Sequence, residues 1–171
     1  MSTNEPLRIG ILTVSDRSAR GERSDKSGPA IENVLSGRGW QVVERLIVPD
    51  EIVAIRESLV HWCDGVKLDV IFTTGGTGFA PRDLTPEATL AVIDRLTPGI
   101  TEAMRYASLR VTSHAMLSRA VAGIRGSTII VNLPGSPKAA VENLQVFLPA
   151  MPHAVQLLRG ESGAELGHQA A

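Results

Sequence analysis

Gly75, Gly76 and Gly78 follow an apolar run that ends at Thr73, and they precede a helix-start pair at Thr85-Pro86. A strand-to-helix turn free of Cβ atoms lets backbone N–H groups approach and cradle an anion such as phosphate. Glycines also serve simply to close a tight turn, and the spacing alone leaves both readings open. Two familiar nucleotide motifs are excluded. TTGGTGFAPRD has no Gly-Lys-Ser/Thr for a P-loop and no third glycine at dinucleotide-fingerprint spacing. Asp50 and Asp83 each lie just past an apolar run of strand length. Two carboxylates beside a phosphate-binding loop suit Mg2+, which takes one or two carboxylates together with substrate phosphates and water. Asp50 also stands directly before a helix pattern, where aspartate serves as an N-cap, so both roles stay open. Asp83 has Arg82 beside it and Thr85 available to cap the next helix, which leaves it less need of a structural role.

Asp16 opens a polar loop carrying Arg17, Arg20, Arg23 and Lys26. Basic side chains there would grip a phosphorylated ligand, although a charge run is by default a solvated surface. Asn132 is the one polar side chain in IIVNL, and Ser136 precedes Pro137. Read from the residues alone, Asn132 is a satisfied buried amide and Ser136 a helix N-cap, with Ser108 and Ser118 in the same structural category. Cys63 and His61 flank Trp62 in a helix pattern, as a core thiol and a surface histidine. The four histidines, His61, His114, His153 and His168, show no metal-ligand spacing, so any metal is expected on oxygen ligands.

The elements that must position these residues alternate. Leu7 to Val14 reads as a strand covered on both faces, and Trp40 to Val48, Leu68 to Thr73 and Ser127 to Leu133 read as three further strands. Between them, Ile31, Val34 and Leu35 mark one helix, and Ile52, Ile55, Leu59 and Trp62 a second that begins near Asp50. Thr85 as N-cap starts a third, with Ala88, Ala91, Val92 and Leu96 as its buried stripe, and Ile100, Met104, Ser108 and Val111 mark a fourth. A long C-terminal helix carries Ala140, Val141, Leu144 and Leu148; Pro149 and Pro152 should interrupt or bend it, and Gly160 closes it. This order predicts an α/β fold with a mostly parallel sheet and helices on both faces. Ligands of such sheets bind outside the carboxyl ends of the strands, so the loops 15–28, 49–51, 74–86 and 132–137 should converge on one crevice.

The chain has 171 residues, which suits one domain, expected over 7–160 between a flexible start at 1–6 and a flexible tail at 161–171. Seventeen basic and eighteen acidic residues give a formal charge of −1, so no net field draws it to nucleic acid or to a membrane surface. One cysteine permits no internal disulfide, and no segment reaches the roughly 18 apolar residues of a membrane span. A soluble cytoplasmic protein is the expectation.

The segment TTGGTGFAPRDLTPEAT, together with TVSDR at 13–17, DKSG at 25–28, VPDE at 48–51, MLSRAVAGIRGST at 116–128 and NLPGSPKA at 132–139, resembles the molybdopterin adenylyltransferase family of molybdenum cofactor biosynthesis, which includes the gephyrin G domain. The segments occur in the family's order and the likeness runs from Leu7 to about Gly160. It implies a three-layer α/β/α molybdopterin-binding fold, assembled as a homotrimer. It further implies transfer of AMP from ATP to the terminal phosphate of molybdopterin, with Mg2+ as cofactor and pyrophosphate as the second product. Carried over by residue, Asp50 and Asp83 match the family's two important aspartates, and the metal falls to Asp50 or Asp83, a choice the sequence leaves open. Ser15, Asp16, Gly75, Gly76, Thr77, Gly78, Asn132, Pro134, Gly135 and Ser136 match its nucleotide and pterin surroundings. Ser108 and Ser118 match positions near the pterin phosphate, and Arg82 or Lys138 adds positive charge. The nucleophile would be a phosphate already anionic near neutral pH, so no histidine or cysteine base is called for.

A sister branch of bacterial homologues keeps the fold and glycine motif but carries other residues where this chain has Asp50, Arg82 and Asp83. Retention of all three favours the enzyme over a catalytically inactive pterin-binding module. Small-molecule substrates and a hand-over of product to a molybdenum-inserting enzyme complete the expectation. A hydrolase of nucleotide-sugar diphosphates on a related domain would share the magnesium dependence and need no pterin.

Overall fold

The computed structural model describes residues 6–161. Six strands form one sheet in the order β2-β1-β3-β6-β5-β4. β1 (Arg8–Val14), β2 (Gln41–Val48), β3 (Val70–Thr74) and β6 (Thr128–Leu133) run parallel, whereas β5 (Ala122–Arg125) and β4 (Arg95–Leu96) are antiparallel additions at one edge. The expectation of a mostly parallel sheet holds: the four expected strands are adjacent and parallel, with β2 at the outer edge. β4 and β5 were not expected. AGIR is too short and too weakly apolar to stand out, and two residues of β4 carry no period at all.

The sheet is covered on both faces because successive strand residues point to opposite sides. Ile9 and Ile11 of β1, with Phe72 and Val131, bury against α2 (Ser27–Ser36), α5 (Pro98–Leu109), α6 (Pro137–Phe147) and α7 (Met151–Arg159). Leu12 and Val14, with Ile71 and Ile130, bury against α3 (Ile52–Val60) and α4 (Thr85–Leu90). A single turn, α1 (Asp16–Ala19), follows β1. The three-layer α/β/α architecture is thereby present. Cys63 is a core thiol whose burial pushes its pKa up to about 11, and His61 is exposed.

Several local expectations change. α3 starts at Ile52 and Asp50 does not cap it. Thr85 is the first residue of α4, and its hydroxyl donates to the Gly75 carbonyl at 2.9 Å instead of capping the helix. α4 ends at Leu90, because residues 91–94 turn to bring β4 alongside β5; Ala88 and Val92 are buried, but Ala91 and Leu96 are exposed. Val111 lies beyond α5 and is exposed. The C-terminal helix is interrupted rather than bent: α6 ends at Phe147, α7 restarts at Met151 with Pro152 in its first turn, and Gly160 closes it in the left-handed region. Arg159 binds both oxygens of Asp69 at 2.8 Å, and the Arg8 N–H donates to the same carboxylate at 2.8 Å, so α7 is tied to the start of the central strands. Apart from Pro6 and Glu161, the flexible ends expected at 1–6 and 161–171 lie outside the described residues.

Gly10 packs tightly against the second face. A Cβ there would stand 2.6 Å from Leu68 Cδ1 and 2.8 Å from Trp62 Cε3. Gly10→Ala should therefore destabilise the protein by about 1–3 kcal/mol through overpacking, read as a lower urea midpoint at unchanged slope.

Candidate functional site

The four loops at the carboxyl ends of the parallel strands meet around one polar cavity of about 420 Å3. Ser15, Arg23 and Lys26 come from the first loop, Asp50 from the second, Gly75, Gly76 and Asp83 from the third, and Gly135 and Ser136 from the fourth. A second cavity of about 290 Å3 lies on the other side of the shared glycine wall. Thr77, Gly78 and Pro134 line it, opposite Met104, Arg105 and Ser108 of α5 and the 112–120 segment that includes Ser118. Gly75 and Gly76 thus face one cavity, and Thr77 and Gly78 the other.

The wall is thin because glycine makes it so. Gly75 and Gly76 have φ of 102° and 64°, in the region that favours glycine. A Cβ on Gly75 would collide with the Val14 carbonyl oxygen, and one on Gly135 would lie 3.2 Å from the Gly75 Cα. The N–H of Gly75 donates to Leu133 O at 3.2 Å, Thr74 Oγ1 donates to Pro134 O at 2.7 Å, and Ser27 Oγ donates to Gly135 O at 2.7 Å. Among the described residues, the N–H groups of Gly76, Thr77 and Gly78 have no acceptor. Gly76 lines the polar cavity, beside the N-terminal end of α6, and Thr77 and Gly78 line the second, so the wall offers free donors to an anion on either side.

The carboxylates are organised by one another and by Arg82. The Asp16 N–H donates to Asp50 Oδ2 at 2.7 Å, and the Asp50 N–H donates to Asp16 Oδ1 at 3.0 Å. Arg82 grips both Asp16 oxygens and donates to the Asp50 carbonyl at 3.1 Å. The Arg82 hydrogen bond holds the Asp16 carboxyl below its ordinary pKa. Burial raises that of Asp50, and the charges of Asp16 and Asp83 add to the rise. Asp83 accepts from the Ala80 N–H at 2.9 Å, within its own turn. Asp50 and Asp83 both face the polar cavity, and their carboxyl oxygens lie against Gly76 and Gly78 respectively. Two carboxylates on one cavity wall, with room for phosphate oxygens and water, form a donor set that fits Mg2+.

Other expected residues take quieter places. Asn132 is fully buried: its Nδ2 donates to Thr73 and Thr89 hydroxyls at 3.0 and 2.9 Å, and its Oδ1 accepts from the Val121 N–H at 3.1 Å. The satisfied-amide reading is right, and the side chain shapes the second cavity from within the sheet. Ser136 occupies the N-cap position of α6 but makes no side-chain cap bond. Ser15 caps α1, its Oγ accepting from the Ser18 N–H at 3.2 Å. Ser108 pairs with Asn143 at 3.1 Å, and Ser118 Oγ accepts from the Ala120 N–H at 3.3 Å. Lys138 is well exposed, lines neither cavity and approaches Glu142 only to 3.9 Å.

Some residues of the two cavities escaped the sequence reading. Asp25 lines the polar one and accepts from Thr13 Oγ1 at 2.8 Å and from the Ser27 and Gly28 N–H groups at 3.0 Å. Its signal was an aspartate just ahead of a helix start. Arg105 lines the other and donates to the Ala120 carbonyl at 3.1 Å and to Thr101 Oγ1 at 3.2 Å. Thr101, Met104, Arg105 and Ser108 have i, i+3, i+4, i+7 spacing, which was available to find it.

A family model described as a probable molybdopterin binding domain matches residues 10–153. The molybdopterin adenylyltransferase of Helicobacter pylori J99 is 45% identical over 158 residues, covering 91% of this chain and 90% of that protein. Gephyrin of Dictyostelium discoideum is also 45% identical, over 92% of this chain, but the chain spans only 23% of its length. The crystal structure of the molybdopterin biosynthesis enzyme MoaB from Thermus thermophilus superposes with a TM-score of 0.86 at 53% identity, covering 91% of this chain and 98% of the other. With the family model spanning most of the sheet and both cavities, the chain belongs to the molybdopterin-binding domain family.

Proposed function

We propose that the protein is a molybdopterin adenylyltransferase: ATP and molybdopterin enter, adenylylated molybdopterin and pyrophosphate leave. The observation that carries this reading is the pair of cavities back to back on one glycine wall, one polar and lined by Asp50, Asp83, Arg23 and Lys26, the other with an apolar floor ringed by hydrogen-bonding side chains. ATP phosphates suit the first and the pterin suits the second. The transfer joins a terminal phosphate oxygen of the pterin to the α-phosphorus of ATP and breaks the bond from that phosphorus to the bridging oxygen of the departing pyrophosphate.

Both reactants are anions, so the protein's work is positioning and charge neutralisation. The free amides of Gly76 to Gly78 bind phosphate oxygens at the meeting point, and Arg23 and Lys26 neutralise the polyphosphate. Ser108, Ser118 and Arg105 orient the pterin and its phosphate. Asp50 and Asp83 would hold Mg2+, which supplies neutralisation of phosphate charge as the leaving group departs. Asp16 and Arg82 keep Asp50 in place. Lys138, exposed at the mouth of α6, adds only long-range charge.

The fuller reading places a homotrimer in the cytoplasm, folded as one unit over 7–160, which passes its product to a molybdenum-inserting enzyme. Tyr106, Leu109, Val111 and Met116 form exposed apolar surface suited to burial between copies. Among the described residues, no helix is long and apolar enough to cross a membrane. The family description names molybdopterin binding and no transfer, which fits a second reading, a pterin-binding module of the same fold without transfer.

The deciding experiment follows adenylylated pterin by mass from the purified protein with molybdopterin, ATP and Mg2+. Pterin-dependent product is expected; tight pterin binding with no product would establish the module, and nucleotide turnover without pterin would mean a hydrolase. Asp83→Asn is expected to slow transfer by roughly 100-fold or more while leaving pterin binding largely intact. Asp50→Asn tests the buried carboxylate. A carboxyl whose folded pKa is raised costs stability once pH exceeds its unfolded value, and that cost is complete above the folded pKa. The neutral amide still accepts from the Asp16 N–H, so the variant without ligands should melt about 1–3 °C higher than wild type at pH 7. The gain should vanish as pH falls below the ordinary carboxylate range, and transfer should be lost throughout.

A further inference from the structure

Arg119 lies in the loop ahead of β5, outside the residues assigned so far, yet its guanidinium reaches across to the metal-side turn. Nε donates to the Gly78 carbonyl at 2.7 Å, Nη2 donates to the Asp83 carbonyl, and Nη1 pairs with Glu87 of α4. Its own N–H donates to the Thr77 carbonyl at 2.9 Å. One residue thus fastens both ends of the turn that carries Asp83. Nothing apolar does so: Phe79 is 68% exposed, and residues 80–82 are exposed as well. Within the turn, Asp83 is bonded only to Ala80, through its Oδ2 and through its N–H. Ser118 and Ala120, on either side of Arg119, line the opposite cavity. The segment 118–120 is therefore a wall for one reactant and an anchor for the residue that serves the other.

We infer that Arg119 is a positioning residue for the transfer, holding the Asp83 turn through the Gly78 and Asp83 carbonyls so that the carboxylate faces the polar cavity in fixed relation to the pterin-side wall. This rests on the adenylyltransferase reading. A planar guanidinium is required because three acceptors in different directions must be met at once; a lysine reaches one. Glu87 aligns the fork from the far side.

The test titrates Mg2+ in single-turnover adenylylation by wild type, Arg119→Gln, Arg119→Lys, Asp83→Asn and the double variant Arg119→Gln/Asp83→Asn, with pterin affinity measured in parallel. Arg119→Gln should slow transfer about tenfold or more and raise the half-saturating Mg2+ concentration by a similar factor, with pterin affinity retained. Arg119→Lys should fall between it and wild type. The double variant should be no more than about twofold slower than Asp83→Asn alone, because residues acting through one another do not add. Losses that multiply at an unchanged Mg2+ requirement would mean that Arg119 only supports the fold, and would overturn the inference. So would a wild-type rate in Arg119→Gln. If Arg119→Gln does not fold, Glu87→Gln decides instead. It leaves both carbonyl bonds but loses the aligning charge, and a raised Mg2+ requirement supports the inference while an unchanged one overturns it. A wild-type protein that forms no adenylylated pterin overturns the functional reading itself, an outcome distinct from an active wild type indifferent to Arg119.

Discussion

The backbone of β1 passes so close to the end of β3 that residue 75 has no place for a side chain: the Val14 carbonyl occupies the position that a Cβ would take. Much else follows from this contact. With Gly75 and Gly76 at positive φ, the chain leaves β3 in a direction no ordinary residue adopts comfortably, and the Thr85 hydroxyl secures the turn by bonding to the Gly75 carbonyl. Gly135 approaches from β6 to within backbone contact. Three parallel strands therefore end in loops separated by little more than main chain. That thinness lets two cavities share a wall, and two bound anions sharing such a wall would be close enough to react.

Around this wall, charge is held in place by hydrogen bonds more than by burial. Asp16 and Asp50 exchange backbone-to-carboxylate bonds across two loops, and Arg82 closes the set from solvent. The effect is to divide two neighbouring aspartates into unlike partners. Asp16 has an arginine and ionises easily; Asp50 is partly desolvated, faces two other carboxylates and resists ionisation. A site that keeps one carboxylate uncomfortable without ligands gains from a cation that relieves it. Core polar groups do a different job: the Asn132 side chain joins β6 to β3, to α4 and to Val121 just ahead of β5, which fixes the shape of the adjoining cavity.

What could be read in advance was whatever left a local pattern. The central strands were legible as unbroken apolar runs, and the carboxyl ends of parallel strands named the loops that converge. The loop residues Gly75, Gly76, Asp50 and Asp83 stood out because glycine and charge at strand ends are conspicuous, whereas Ser136 read as a helix cap and joined them only through the family resemblance. Thr85 was misjudged since the sequence of a helix start, Thr-Pro, says nothing of a carbonyl ten residues earlier that claims the hydroxyl. Asp50 was open to a capping role for the same reason: its partner, Asp16, lies 34 residues away. Arg119 sat within a recognised segment, but its three acceptors belong to a turn and a helix that only the folded chain brings near. Edge strands β4 and β5 were hidden by brevity.

Those same edges have a consequence beyond the site. A sheet margin with unpaired N–H and C=O groups is a template onto which a strand from another chain can add, the first step towards aggregates. On one side the template is only two residues long, Arg95 and Leu96, and begins with a cation. On the other, β2 is eight residues long but carries Glu44 and Arg45 mid-strand, and charges there discourage an apolar strand from docking. The unexpected antiparallel pair β5 and β4 at the end of the parallel sheet is thus also a terminator, guarding against strand-by-strand aggregation a protein whose core strands, exposed, would pair readily with their own kind.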